Sequence, residues 1–269
     1  MIEFLSSTEL ARRVRLSVLD MSFKAQSSHI GSALSVVDIL SVLYSDIMDV
    51  KKVQQGDPGR DFLILSKGHA TVALYATLAH AGVIDSTDLP SYGQDGTALM
   101  QHASHKVPGV EFSTGSLGHG LSLGCGVAEA KRIQCEVGTT FVIVSEGDLN
   151  AGSTWEGIMY AATRRLNVVV IVDANGLQSL GPADEVFALE PVEEKFRAFG
   201  WQSRVVDGHD HGGLREGIKG RQAGDGPLAI IARTTKGKGV PFMEGKVRWH
   251  YAALDEALLQ SARDSIEQA

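Results

Sequence analysis

Two cysteines in 269 residues cannot make a disulfide framework, and these two cannot pair with each other. Cys125 and Cys135 both fall in one predicted helix, about 15 Å apart along its axis, which is too far for a disulfide. They read as buried thiols of a reducing compartment. A run of about 18 apolar residues is also missing, and without one no helical membrane span is expected. Basic residues are outnumbered, 25 against 32 acidic, for a formal net charge of −7. A nucleic-acid surface needs a basic excess to neutralise phosphates, so no nucleic-acid partner is expected. The start, Met1 to Leu10, carries Glu3 and Glu9 and no apolar run. It does not read as a signal peptide, and the expected location is the cytoplasm.

The composition present is that of a globular protein: 43% hydrophobic and 21% charged residues. Glycine is the exception. There are 30 of them, gathered at strand ends and helix starts, where backbone must approach something closely.

Helical and strand patterns alternate along the chain. Leu10, Val14, Val18 and Met21 recur at helical spacing over Thr8 to Phe23. Ser35 to Ile47 repeats the pattern. Phe62 to Leu65 is a short apolar run ending at Ser66-Lys67-Gly68-His69, and a helix follows through Leu78. Gly115 to Ile133 begins in glycines and becomes helical. Phe141 to Val144 and Val168 to Val172 read as core strands around a helix over Thr154 to Arg165. Val205-Val206 and Leu228 to Ala232 read as further strands around a helix near Leu214 to Lys219. Strands this apolar are covered on both faces, which predicts an α/β fold with a mostly parallel sheet. With no internal repeat or linker, residues 1–269 read as one domain, irregular at Pro90 to Glu111 and Thr235 to His250.

In such sheets ligands sit beyond the carboxyl ends of the strands. One core strand runs into Ser145-Glu146-Gly147-Asp148, and the next into Asp173-Ala174-Asn175-Gly176. A carboxylate and an amide oxygen side by side are hard ligands suited to Mg2+ or Ca2+. Gly147 and Gly176 let a phosphate near the backbone, and the helix starting near Gly152 offers free N–H groups. The same residues also make an ordinary strand-to-helix turn without a ligand, and spacing alone does not choose. Gly115 to Gly120 has its glycines in the reverse order of a dinucleotide loop and no preceding strand, so a dehydrogenase is not indicated.

Ser145 to Asp148, read together with Val172-Asp173-Ala174-Asn175-Gly176-Leu177-Gln178 and with Trp155-Glu156, resembles the thiamine diphosphate motif of the transketolase family. Four histidines stand in segments similar to the same family: Ser28-His29-Ile30-Gly31, Ser66-Lys67-Gly68-His69-Ala70, His102 ahead of Pro108-Gly109, and Trp249-His250. Taken singly, each histidine is as well explained as a surface or core residue.

The resemblance implies a thiamine diphosphate-binding fold with Mg2+ (Ca2+ or Mn2+ as alternatives) held by Glu146, Asn175 and the Leu177 carbonyl. It implies cofactor contacts from His69, Gly115, Leu117, Glu146, Gly147, Asp148, Asn175 and His250. It further implies that His29, His69, His102 and His250 line the channel to the sugar, and that Glu156 belongs to an acidic network between paired sites. Lys236 and Lys238 lie in a segment similar to the family's closing loop. The implied reaction moves a two-carbon ketol unit from a ketose to an aldose, with sugars or sugar phosphates as substrates.

The family's pyrimidine-binding part, with its activating glutamate, has no counterpart in this length. The resemblance therefore implies a separate C-terminal subunit and a heterotetramer. Three positions depart from the family pattern. Glu146 stands for the expected aspartate, leaving Asp148 as a substitute ligand. Ala151 stands for a glutamate, so that the acidic network would be interrupted or rerouted through Asp148. His119 stands for a glutamine. Other readings are a 2-oxo acid dehydrogenase or deoxyxylulose phosphate synthase-like subunit, or a non-catalytic cofactor-binding subunit.

Overall fold

Each of the five apolar runs is hydrophobic on both faces and has to be covered twice. In the computed structural model, which describes residues 5–221 and 225–268, they form β1 (Phe62–Leu65), β2 (Thr140–Ser145), β3 (Val168–Ala174), β4 (Gln202–Asp207) and β5 (Leu228–Arg233). All pairings are parallel, in the order β1-β2-β3-β5-β4. Met1 to Phe4, the first residues of the segment read above for a signal peptide, lie outside the described residues.

Alternation along the strands sorts the core into two layers. Leu63, Leu65, Phe141, Ile143, Val169, Ile171, Leu228 and Ile230 pack on one face. There they meet α1 (Ser7–Ala25), α2 (Ile30–Ser35), α3 (Val37–Val42), α5 (Thr71–His80), α11 (His211–Lys219) and α12 (Glu256–Glu267). Ile64, Val142, Val144, Val168, Val170, Val172 and Ile231 pack on the other face. Their cover is α6 (Gly120–Gln134), the single turn α7 (Glu146–Leu149), α8 (Gly152–Arg164) and α10 (Val192–Ala198). Two short helices, α4 (Val50–Gln55) and α9 (Ala183–Val186), sit in the connections. No helix among the described residues is long and apolar enough to cross a membrane.

Two local expectations are corrected. The stretch Ser35 to Ile47 is not one helix: α2 ends at Ser35, α3 begins at Val37, and Leu43–Ile47 is a π-helical turn. Ile30 to Tyr44 is buried throughout, so no polar face marks where one helix stops. The Ser35 hydroxyl bonds back to Ser32 O and to Asp173, which draws the chain toward the sheet at the break. Of the cysteines only Cys125 is buried; Cys135 is exposed, one residue past α6 in a left-handed C-cap (φ 56°).

Behind the sheet edge, Asp38 on α3 is a buried carboxylate shared by three cationic or donor side chains. Arg15 reaches it at 3.0 and 2.5 Å, His209 Nδ1 at 2.7 Å and His211 Nε2 at 3.0 Å. Burial alone would raise this carboxyl, but hydrogen bonds from His209 and His211 and the Arg15 charge outweigh it and hold Asp38 far below the usual carboxylate range. A depressed folded pKa stabilises the protein above the unfolded pKa of about 4, and that contribution is lost as pH falls further. Melting curves of wild type and Asp38→Asn should therefore differ most at pH 6–8 and converge as pH drops below about 4. A gap that stays constant down to pH 3 would contradict this account.

Candidate active site

Parallel strands bring all their carboxyl ends to one edge, so residues far apart in sequence meet there. β1 runs into Lys67 and His69, β2 into Glu146, β3 into Asn175, and β5 into Lys236. The register pairs Ser145 with Asp173, which sets Glu146 and Asn175 side by side. Around them is a cavity of ≈ 210 Å3, lined among others by His29, His69, His102, Gly115, Leu117, Glu146, Gly147, Asn175, Leu177 and His250. Ten of the twelve residues proposed from the sequence thus share one cavity; Asp148 and Glu156 do not.

The four histidines form one cluster. The His29 ring lies 5.2 Å from His69, 6.0 Å from His102 and 4.7 Å from His250, centroid to centroid. His69 and His250 are 5.8 Å apart. His29 has φ 73°, a left-handed backbone uncommon for a residue with a side chain. It caps the start of α2, and its N–H donates to His250 O at 2.9 Å, tying the two histidine segments together. Burial, then the charges of nearby Lys236 and Lys67 and the other rings, push His29 and His250 down to about 4; His69 is also held well below its usual range by burial and Lys67. At neutral pH these three rings are uncharged, each with one donor and one acceptor.

The cavity floor is a buried ion pair that sequence reasoning passes over. The Lys67 ammonium pairs with Asp173, both completely buried. Lys67 also donates to Ser32 O at 3.0 Å, while Ser35 and Thr234 hydroxyls donate to the Asp173 carboxylate. Burial pushes Asp173 upward, but the Lys67 charge and these hydrogen bonds prevail and keep it below its usual range. The only signal in the sequence is a lysine directly after a core strand, in a tetrapeptide where His69 draws the attention.

Glu146 is the opposite case, a carboxylate 8% exposed with no cation bonded to it. Both its oxygens accept from the Gly176 N–H, at 3.2 and 3.0 Å. Burial, and then the charge of Asp173, push its carboxyl up to about 7. Beside it, Asn175 Oδ1 accepts from Leu177 N at 3.1 Å, and the lining residue Gln178 has a buried Nε2 with no hydrogen-bond partner among the described residues. Gly147 carries no side chain into this space; a Cβ there would come within 2.8 Å of Leu117. Among the described residues no three His, Cys, Asp or Glu side chains converge as a metal cage. A cation at Glu146 would need amide and carbonyl oxygens and oxygens of a ligand, which is how Mg2+ is commonly held. An uncompensated buried carboxylate, an amide and an orphan donor fit a divalent cation with a phosphorylated group.

Asp148 is fully buried and turned away from the cavity. Its Oδ1 accepts from Ser66 Oγ (2.6 Å) and Gly118 N (2.9 Å), and its Oδ2 from Ser145 N and Oγ (both 2.8 Å). With Ser145 it closes a capping box on α7. It clamps the end of β1 and the glycine loop onto β2, so it is corrected from ligand to internal brace. No route through Asp148 to Glu156 exists in the chain, because both its oxygens are taken by other partners. Glu156 itself is exposed on α8. α7 directly after β2, rather than the helix at Gly152, is the element beside Glu146. Ala151 packs against Gly118, where an added Cβ would meet its own at 2.4 Å. His119 is exposed just before α6, its Nδ1 3.2 Å from Ser116 O, and outside the cavity lining. Lys236 lines the cavity; Lys238 faces the Asp38 side instead.

Comparison with known proteins agrees with this geometry. The family profile described as "Transketolase, thiamine diphosphate binding domain" matches residues 6–267. One of the two subunits of an apulose-4-phosphate transketolase from Phocaeicola vulgatus is 37% identical over 242 residues, covering 88% of this chain and 85% of that protein. The 6-deoxy-6-sulfo-D-fructose transketolase subunit SqwG of Clostridium sp. is 35% identical over 261 residues, 96% of this chain and 95% of that protein. A solved transketolase from Campylobacter jejuni superposes with a TM-score of 0.89 at 29% identity, covering 97% of this chain but 42% of that one. The chain thus spans about two-fifths of a full-length transketolase and nearly all of its subunit-type relatives. It belongs to the transketolase family, as an N-terminal, thiamine diphosphate binding subunit.

Proposed function

We propose that this chain holds the diphosphate and the cation of thiamine diphosphate for a transketolase whose pyrimidine-binding half is a separate polypeptide. The observation that carries the reading is the convergence of four histidines on the cavity that contains Glu146 and Asn175. Glu146, Asn175 and the Leu177 carbonyl would hold Mg2+, with Lys236 and the unpartnered Gln178 amide available to phosphate oxygens. Ca2+ or Mn2+ would satisfy the same oxygen donors. When bound, thiamine diphosphate supplies the chemistry that breaks and remakes a carbon–carbon bond next to a carbonyl.

The chain's own residues orient the sugar and handle its protons. Uncharged His29, His69 and His250 can each donate to a carbonyl or accept from a hydroxyl, and His102 completes the ring around that space. A neutral imidazole near the C3 hydroxyl of a ketose can take its proton as the bond breaks and return it to the aldose product. A polyhydroxylated donor matches four imidazoles better than a 2-oxo acid does, which favours ketol transfer over the dehydrogenase reading. Glu156, exposed on α8, is assigned to the contact with the partner chain. A heterotetramer in the cytoplasm acting on free or phosphorylated sugars completes the proposal.

Calorimetric titration of thiamine diphosphate into the chain together with its partner, with Mg2+ and then with EDTA, tests this. Cation-dependent binding and ketol transfer only in the presence of both chains are expected. Absence of binding at millimolar cofactor with Mg2+ would sink the enzyme reading.

A further inference from the structure

We infer that His209, which lies outside the cavity, positions the loop that carries Lys236, acting as a neutral imidazole held between Asp38 and the Thr235 amide. The tautomer follows from the partners. Thr235 N–H can only donate, and it meets His209 Nε2 at 2.8 Å, so that nitrogen carries no proton. The single ring proton is on Nδ1, 2.7 Å from Asp38 Oδ2. Asp38 is itself fixed by Arg15, whose Nε also reaches Lys238 O at 3.3 Å.

The ring is placed by a turn with little freedom. Gly208 donates to Arg233 O at 2.7 Å, and a Cβ there would come within 2.4 Å of Thr234. His209 N donates to Asp207 Oδ1, and Asp210 caps α11. On the receiving side, Thr234 is tied to Asp173 and Ala174 O, and Gly237 N donates to Gly31 O at 2.9 Å. His209 supplies the anchor between those two, next to Lys236, whose ammonium stands 3.4 Å from His250 Nδ1. One hydrogen bond from a residue that touches no ligand thus sets where the cavity's lysine stands.

The two amide substitutions separate the two halves of the relay. His209→Asn keeps a donor where Nδ1 was and has nothing at the Nε2 position; His209→Gln keeps an acceptor there. Hydrogen exchange of the isolated chain reads the loop directly. His209→Asn should speed exchange in the peptide containing Thr235 to Gly237 about tenfold, with β2 and β3 unchanged, and His209→Gln should restore it to within about threefold. Insofar as the cavity binds diphosphate, which rests on the function proposed above, the Mg2+-dependent affinity of the chain with its partner for thiamine diphosphate should fall about tenfold in His209→Asn and recover in His209→Gln. Unchanged exchange in His209→Asn, or equal damage by both substitutions spread over the sheet, overturns the inference. If wild type binds no cofactor, the functional reading fails while the exchange data still decide the role of His209.

Discussion

Glu146→Gln should weaken Mg2+-dependent thiamine diphosphate binding about 100-fold or more while making the cofactor-free chain more stable. Both directions come from the same buried carboxylate. Without a cation, Glu146 is desolvated and faces Asp173, which pushes its carboxyl up to about 7. A raised folded pKa costs stability once the unfolded carboxyl ionises, from about pH 4 upward, and the cost reaches its full size above the folded value. The glutamine is isosteric, its carbonyl still accepts from Gly176 N, and it carries no charge to desolvate. At pH 8 the cofactor-free Tm should rise, by about 2–4 °C for each kcal/mol recovered in a chain of this size. A divalent cation, by contrast, loses the one anionic ligand in the set. A loss of about 3 kcal/mol corresponds to the stated drop in affinity. Differential scanning fluorimetry with and without Mg2+ and cofactor reads both effects at once. Full cofactor affinity in the variant would remove Glu146 from the metal site.

The second large effect is expected at Lys67. Lys67→Met leaves the Asp173 carboxylate completely buried with only hydroxyl partners, and Asp173 is held below its usual range first of all by the Lys67 charge. Breaking one side of a buried pair costs about 3–5 kcal/mol, whereas removing both charges costs far less. Urea unfolding should show that loss for Lys67→Met and recovery of most of it in Lys67→Met with Asp173→Asn. Additive losses in the double variant would mean that the two groups do not interact as described. The pair also matters to the site, because an uncompensated Asp173 adds negative charge beside Glu146 and loosens the Ser32 carbonyl that Lys67 holds.

These two residues show how differently parts of the site can be read. Glu146 and Asn175 are visible because apolar runs announce parallel strands, and polar residues at their carboxyl ends face a ligand edge. The histidines are visible only through the family's local signatures; spacing says nothing of four rings drawn from residues 29, 69, 102 and 250. Asp148 has the right residue type in the right tetrapeptide, yet α7 turns it inward onto Ser66 and Gly118. α12 escapes notice because its buried stripe is short, with Ala262 and Ile266 as its fully covered positions. The long helix expected over Ser35 to Ile47 fails for the opposite reason: nearly everything there is buried, so periodicity carries no boundary.

By itself the sequence determined the α/β class, the strands, the edge at which a ligand sits and the family. Local composition and alternation suffice for those, since a strand apolar on both faces has one way to be covered. Only the tertiary structure decided which charges are interior. Lys67 and Asp173 lie 106 positions apart, and Asp38 and His209 lie 171 apart. A charged side chain can be buried only where a partner from another element reaches it, and that partnership is a property of the packed sheet and not of any segment.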